Sequence, residues 1–230
     1  MSAYSRETES FIGSSSDPAD SWDAKILHDT VREAIHTSPG SFLKTLQDVD
    51  ETNWANEIRS STWVVAECGE KAVGVAAAKR PNPASDREDR KTSRYIESVW
   101  IAPEFRRRGL AEQLISFLLE AEYRKDRHIE QFLLWVFEGN SPAISLYEHT
   151  GFALTQEKNQ GERAEIKYRL DFNHAVRVAL GRAADEVICQ EDGRQHRVTY
   201  RVLEGKDSSQ SSFRYLNALT MESKRSSFVR

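Results

Sequence analysis

A strand that runs straight into a basic, glycine-containing turn at the start of a helix constrains this chain more than any other feature. Residues 95–122 read YIESVWIAPEFRRRGLAEQLISFLLEAE. Ile96, Val99, Trp100 and Ile101 are β-branched or aromatic, and Pro103 ends the run, which predicts a strand. Leu110, Leu114, Ile115, Phe117, Leu118 and Leu119 then recur at steps of three and four, with Glu112, Gln113 and Glu120 between them, which predicts an amphipathic helix. Arg106-Arg107-Arg108-Gly109-Leu110-Ala111 joins the two. The unsatisfied N–H groups and positive dipole end of such a helix attract an anion. Small residues at Gly109 and Ala111 let that anion approach the backbone. A phosphate cradle is the expectation.

The surrounding chain reads as mixed α and β. Residues 1–21 are rich in Ser, Asp, Glu and Thr and read as a mobile arm with a short strand around residues 10–13. Ile26, Leu27, Val31, Ala34 and Ile35 predict a helix over residues 23–36, and Trp54 and Ile58 another over residues 50–59, with Asp50 or Thr52 near its N-cap. Residues 62–67 and 72–79 predict a hairpin around a Cys68–Lys71 turn. Residues 80–94 hold two prolines and many charges and predict an exposed loop. The apolar run at 131–137 suits a strand covered on both faces. A helix opened by Asn140-Ser141-Pro142 follows, then strands over 152–156 and 164–170 around a turn at 157–161. Residues 173–230 read as an appendage, with a helix over 175–184, a hairpin around Glu191-Asp192-Gly193-Arg194 and a helix over 213–222.

A chain of 230 residues, 39% hydrophobic and 30% charged, has room for one sizeable core and decorated ends. Its formal net charge of −4 argues against bulk nucleic-acid binding and makes any basic site local. The N-terminal residues show no apolar signal region and no run reaches membrane-span length, so no membrane partner is expected. Two cysteines, Cys68 and Cys189, argue against a disulfide scaffold and for a reducing, cytoplasmic compartment. The six histidines show no metal-ligand spacing, so no metal is expected.

The strand, the Arg-x-x-Gly-x-Ala turn, the helix, the apolar strand and then N-x-x-A-x-x-L-Y-x-x-x-G-F over residues 140–152 stand in fixed order, the second motif about thirty residues after the first. This ordered pair resembles the GNAT superfamily of acetyl-CoA-dependent N-acetyltransferases, at motif level over residues 95–152 and in element order over 26–170. The resemblance implies a mixed, mostly antiparallel α/β sheet flanked by helices, here residues 22–172, and acetyl-CoA as co-substrate. It implies direct transfer of an acetyl group to a primary amine of a small molecule or protein, by a monomer or homodimer. A non-catalytic acyl-CoA-binding or partner-binding module is the alternative.

Site residues follow from the same resemblance. N–H groups of Arg107, Arg108, Gly109, Leu110 and Ala111 would hold the coenzyme pyrophosphate, with charge from Arg106. Val99, Trp100 and Ile101 would meet the pantetheine arm, and a backbone N–H near Ile101 would polarise the thioester carbonyl. Asn140 and Ala143 would steady the coenzyme, although Asn140 as a plain N-cap needs no function. Tyr147, on its own an ordinary core aromatic, would protonate the leaving thiolate. Glu97, either a solvent-facing carboxylate or a base, would take the amine's proton. The acceptor would enter past residues 36–56, 80–94 and 157–163. There Phe42, Trp54, Asp48, Asp50 and Glu51 offer apolar and acidic groups that also fit ordinary core and surface.

Overall fold

Thr62 and Trp63, neighbours at the start of one strand, turn to opposite faces of the sheet, as successive strand residues must. The Thr62 hydroxyl donates to Glu122 of a long helix on one face, while the Trp63 ring lies edge-on to Trp54 of a short helix on the other, their centroids 5.9 Å apart. That alternation sets the three layers. The computed structural model describes residues 18–173, 187–191 and 193–203. Helices α1 (Pro18–Thr37), α2 (Leu46–Glu51) and α3 (Trp54–Ser60) precede strands β1 (Thr62–Cys68), β2 (Lys71–Lys79) and β3 (Ser93–Ile101). Then come α4 (Leu110–Lys125), β4 (Gln131–Phe137), α5 (Ser141–His149), β5 (Ala153–Gln160) and β6 (Ala164–Asp171), and finally β7 (Ile188–Glu191) and β8 (Arg194–Leu203).

The eight strands form one sheet in the order β5-β6-β4-β3-β2-β1-β8-β7. Every pairing is antiparallel except β3 with β4. Helix α4 covers β1, β2, β3 and β8 on one face, and α1 and α3 cover β1 to β3 on the other. This is the mixed, mostly antiparallel α/β architecture expected from the sequence. A buried ion pair fastens α4 to the sheet: Arg94 Nε lies 2.6 Å from Glu122 Oε2, and Arg94 Nη2 lies 2.8 Å from Asp126 Oδ2. Such a pair must be kept whole, because removing one partner leaves an uncompensated charge in the core.

Four expectations need correction. Asp50 lies inside α2, and α3 is capped by Asn53, whose side chain accepts from the Asn56 N–H, so the proposed caps at Asp50 and Thr52 fall in the wrong place. Strand β5 continues through Gln160, because residues 158–160 pair with 164–166; the turn is shorter than 157–161 suggested. Cys68 ends β1 rather than sitting in a turn, and it is bonded to Cys189 of β7, with Cα atoms 6.2 Å apart. The sequence argument failed there because 121 residues separate the two cysteines, and only the pairing of β8 beside β1 brings them together. Lastly, β7 and β8 extend the central sheet, where the sequence suggested an appendage. The expected strand at residues 10–13 and helices at 175–184 and 213–222 lie outside the described residues.

Candidate active site

Strands β3 and β4 pair only at Ser93–Gln131, Arg94–Phe132 and Tyr95–Leu133, then part. Beyond that point each has one edge free of the other, and a cavity of about 980 Å³ opens at the splay. Tyr95, Glu97 and Ile101 of β3, Trp135 and Phe137 of β4, the 106–111 turn and Tyr147 of α5 all reach it. Ser98 interrupts β3 there with φ 57°, a left-handed conformation that non-glycine residues seldom adopt, opposite a register shift between Val75 and Ala77. The bulge re-aims the strand just where it leaves its neighbour. Past it, the Ala102 N–H donates to Val73 O at 2.9 Å and Ile101 faces Gly74. By antiparallel alternation, Ile101 therefore turns its own N–H and C=O away from β2 and toward the slot.

At the mouth of the slot, Arg107 and Gly109 both take positive φ, 62° and 77°. Alternating left-handed residues gather successive N–H groups into a concave anion nest. The first helical bond of α4 is Gln113 N–H to Gly109 O, 3.1 Å, so the N–H groups of Leu110, Ala111 and Glu112 face out of the helix end. The side chains divide the labour in a way the sequence did not show. Arg106 donates through Nε to Ile101 O and through Nη2 to Ser38 Oγ, each at 2.9 Å, and Arg108 donates to Glu104 O at 3.0 Å. Two of the three arginines thus brace the turn, and Arg107 stands exposed beside the nest.

Asn140 caps α5 by accepting from the Ala143 N–H at 3.4 Å, which meets its structural reading. Pro142 occupies the first turn, where no N–H is needed. Five residues further, Tyr147 is 8% exposed with its ring edge-on to Phe152. Burial pushes the pKa of its hydroxyl well above the ordinary value, so the phenol stays protonated at neutral pH.

Glu97 lines the cavity and is paired. Its Oε1 lies 2.7 Å from Lys79 Nζ, and the same ammonium lies 2.8 Å from Glu57 Oε2. Desolvation, the largest influence, pulls the Lys79 pKa down, yet the two carboxylates outweigh it and the net shift is upward. Behind Glu97 stands a second cluster. The Tyr95 hydroxyl donates to Glu88 at 2.9 Å, and buried Lys167 pairs with Glu88 and lies over the Tyr95 and Trp135 rings. Arg163, from the β5–β6 turn, stacks 3.5 Å from the centre of the Phe137 ring and donates to Gly40 O, joining the two loops that flank the slot. The other acceptor candidates are structural. Trp54 is buried and donates to Val49 O, Asp48 closes a capping box with Thr45, and Asp50 pairs with Arg32. Phe42 lines the cavity.

The sequence profile of the acetyltransferase (GNAT) family matches residues 27–152, more than half of the chain. The chain belongs to that family. It is an N-acetyltransferase, and its mixed, mostly antiparallel sheet flanked by helices is consistent with the family's fold. Among solved structures, the GNAT domain of S. lividans PAT is 15% identical with a TM-score of 0.51, covering 65% of this chain and 85% of that one. RimL, a ribosomal L7/L12 alpha-N-protein acetyltransferase in complex with coenzyme A, is 16% identical with a TM-score of 0.51, covering 68% and 90%. At such identities these two speak for the fold. No curated protein matches the chain.

Sequence reasoning missed Lys79, Glu57 and Arg163. Lys79 ends a strand and Glu57 sits in a short helix, and only the β2–β3 register and the packing of α3 on the sheet bring both to Glu97. No local pattern announces them.

Proposed function

We propose that the protein transfers an acetyl group from acetyl-CoA to a primary amine by direct attack within the β3–β4 slot. The observation that carries this reading is the convergence of the 106–111 nest, the parted strands and buried Tyr147 on one cavity. The N–H groups of residues 107–111 would hold the pyrophosphate, and the part of β3 around Val99, Trp100 and Ile101, which has parted from β4, would align the pantetheine arm. The Ile101 N–H would meet the thioester oxygen as charge builds on it. The amine nitrogen attacks the thioester carbon, the carbon–sulfur bond breaks, the proton from nitrogen passes to Glu97, and the Tyr147 hydroxyl gives its proton to the sulfur. Holding both substrates in one slot supplies much of the rate. The acceptor would be an amine that reaches Glu97 past Phe42 and Trp135, in a small molecule or a protein.

The test is release of free thiol from acetyl-CoA against a panel of small amines, polyamines and peptides with free N-termini. With an amine that turns over, Tyr147→Phe is expected to lower kcat by about a hundredfold and leave coenzyme A affinity in place. Glu97→Gln is expected to remove the acid limb of the pH–rate profile. Full kcat in the phenylalanine variant would eliminate Tyr147 as the acid, and an unchanged profile would eliminate Glu97 as the base.

A further inference from the structure

The C-terminal strand β8 reaches the coenzyme turn through one side chain. Tyr200 projects from β8 onto α4, where its hydroxyl donates to Gln113 Oε1 at 2.8 Å and its ring stacks on Phe117 with centroids 4.5 Å apart. Gln113 sits one turn into α4, and its N–H makes the helix's first internal bond, to Gly109 O. With Oε1 held by Tyr200, the amide Nε2 stands against the turn: a Cβ built on Gly109 would lie 3.9 Å from it. Tyr200 is 5% exposed, and Phe117 is partly buried against the same core, so the link is sheltered from water. The strand that carries Tyr200 is itself fixed on both sides. It pairs with β1 from Val198 to Leu203, and its neighbour β7 is bonded to the end of β1 through Cys68–Cys189.

We propose that Tyr200 is a positioning residue for the coenzyme site, acting through Gln113 to hold the first turn of α4 and Gly109 in the geometry that binds the pyrophosphate. This rests on the reading of residues 106–111 as the coenzyme cradle. Strand β8 then serves catalysis from behind, through the helix whose N-terminus meets the anion. Glycine takes the left-handed conformation at Gly109 without strain, so neighbouring contacts set only the orientation of the turn, and the Gln113 amide is the side-chain group nearest to a Cβ placed there. Phosphate binding at a helix end depends on the direction of a few N–H groups, so a small rotation of that turn weakens it.

The experiment measures coenzyme A binding by calorimetry on the full chain, for wild type, Tyr200→Phe, Gln113→Ala, the double variant and Val198→Ala. Tyr200→Phe keeps the ring and its stack on Phe117 and loses only the hydroxyl. It is expected to weaken coenzyme A by about three- to tenfold, the worth of one neutral hydrogen bond. Gln113→Ala removes the same bond from the helix side and is expected to give a similar loss, with the double variant no weaker than the worse single one. Val198→Ala, a buried truncation in the same strand, is expected to lower the melting temperature and leave the affinity unchanged. Equal affinity for wild type and Tyr200→Phe overturns the inference and leaves the coenzyme reading intact. Additive losses, or a Val198→Ala loss equal to that of Tyr200→Phe, overturn the specific link. A wild type that does not bind coenzyme A overturns both readings.

Discussion

The ammonium of Lys79 stands between two carboxylates, 2.7 Å from Glu97 and 2.8 Å from Glu57, and with Glu97 it lines the cavity where β3 and β4 part. The side chains come from three separate elements, β2, β3 and α3, so the triad exists only in the folded protein. It holds Glu97 in place by charge, from a position in the chain that no motif marks.

Removing the cation leaves two carboxylates facing each other. Lys79→Met is expected to destabilise the protein by about 1–3 kcal/mol, and adding Glu57→Gln to recover much of that loss. Because the folded-state pKa of Lys79 is raised above its ordinary 10.5, its contribution is complete below that pH and is lost as pH rises through the raised value. Chemical denaturation of wild type and variant at pH 7 and pH 11 measures this. A gap of the same size at both pH values would contradict it.

Gly109 holds φ 77° with only ordinary contact distance to Gln113, so the cost of a side chain there is conformational. Gly109→Ala is expected to cost about 1 kcal/mol of stability and to weaken coenzyme A binding. Gly109→Asn, which tolerates the left-handed region better, should retain more of both. Equal effects of the two substitutions would point to crowding instead.

Cys68–Cys189 closes a loop of 121 residues. Its reduction, or Cys68→Ser, is expected to cost about 2–4 kcal/mol. Melting curves with and without dithiothreitol, alongside thiol counting by mass spectrometry of the unreduced protein, decide the matter. Two free thiols in the oxidised sample would refute the prediction.

Glu88 is the counter-ion of buried Lys167. Desolvation, the largest influence, raises the Glu88 pKa, but Lys167 and the Tyr95 hydroxyl outweigh it and the net shift is downward from 4.5. A lowered carboxylate stabilises the fold above its unfolded value and loses that stabilisation as pH falls through the folded one. The stability gap between wild type and Glu88→Gln should therefore be widest near neutral pH and shrink below about pH 4.5. A gap that widens on acidification would reverse the sign of this argument.

What the sequence revealed and concealed divides along physical lines. Residues 95–122 could be read because their signals are local: β-branched residues, then a turn with glycine, then a helical period, all within one stretch. Asn140 to Phe152 were legible for the same reason. The paired states of Glu97, Lys167 and Arg94 were not, since each depends on partners brought by register and by helix packing. The left-handed backbone at Ser98 and Arg107 was hidden because neither residue type favours it. The bond between Cys68 and Cys189 was hidden because loop length alone does not specify a partner. Tyr200 escaped notice because β8 carries no motif and finds its meaning beside β1.

That adjacency also bears on how the chain is made. β1 is the first described strand to leave the ribosome and β8 the last, yet they are neighbours in the finished sheet. Until residues 194–203 emerge, one edge of β1 has backbone groups with no strand to pair them. Because Trp63, Val64 and Val65 are large hydrophobic residues that the finished fold buries completely, that edge is a template for misassociation. Pairings of such long sequence separation form slowly, since much chain must be ordered before they are rewarded. A nascent chain of this protein therefore carries an unfinished sheet from the emergence of β1 until that of β8, and the Cys68–Cys189 bond can form only once translation has passed residue 189.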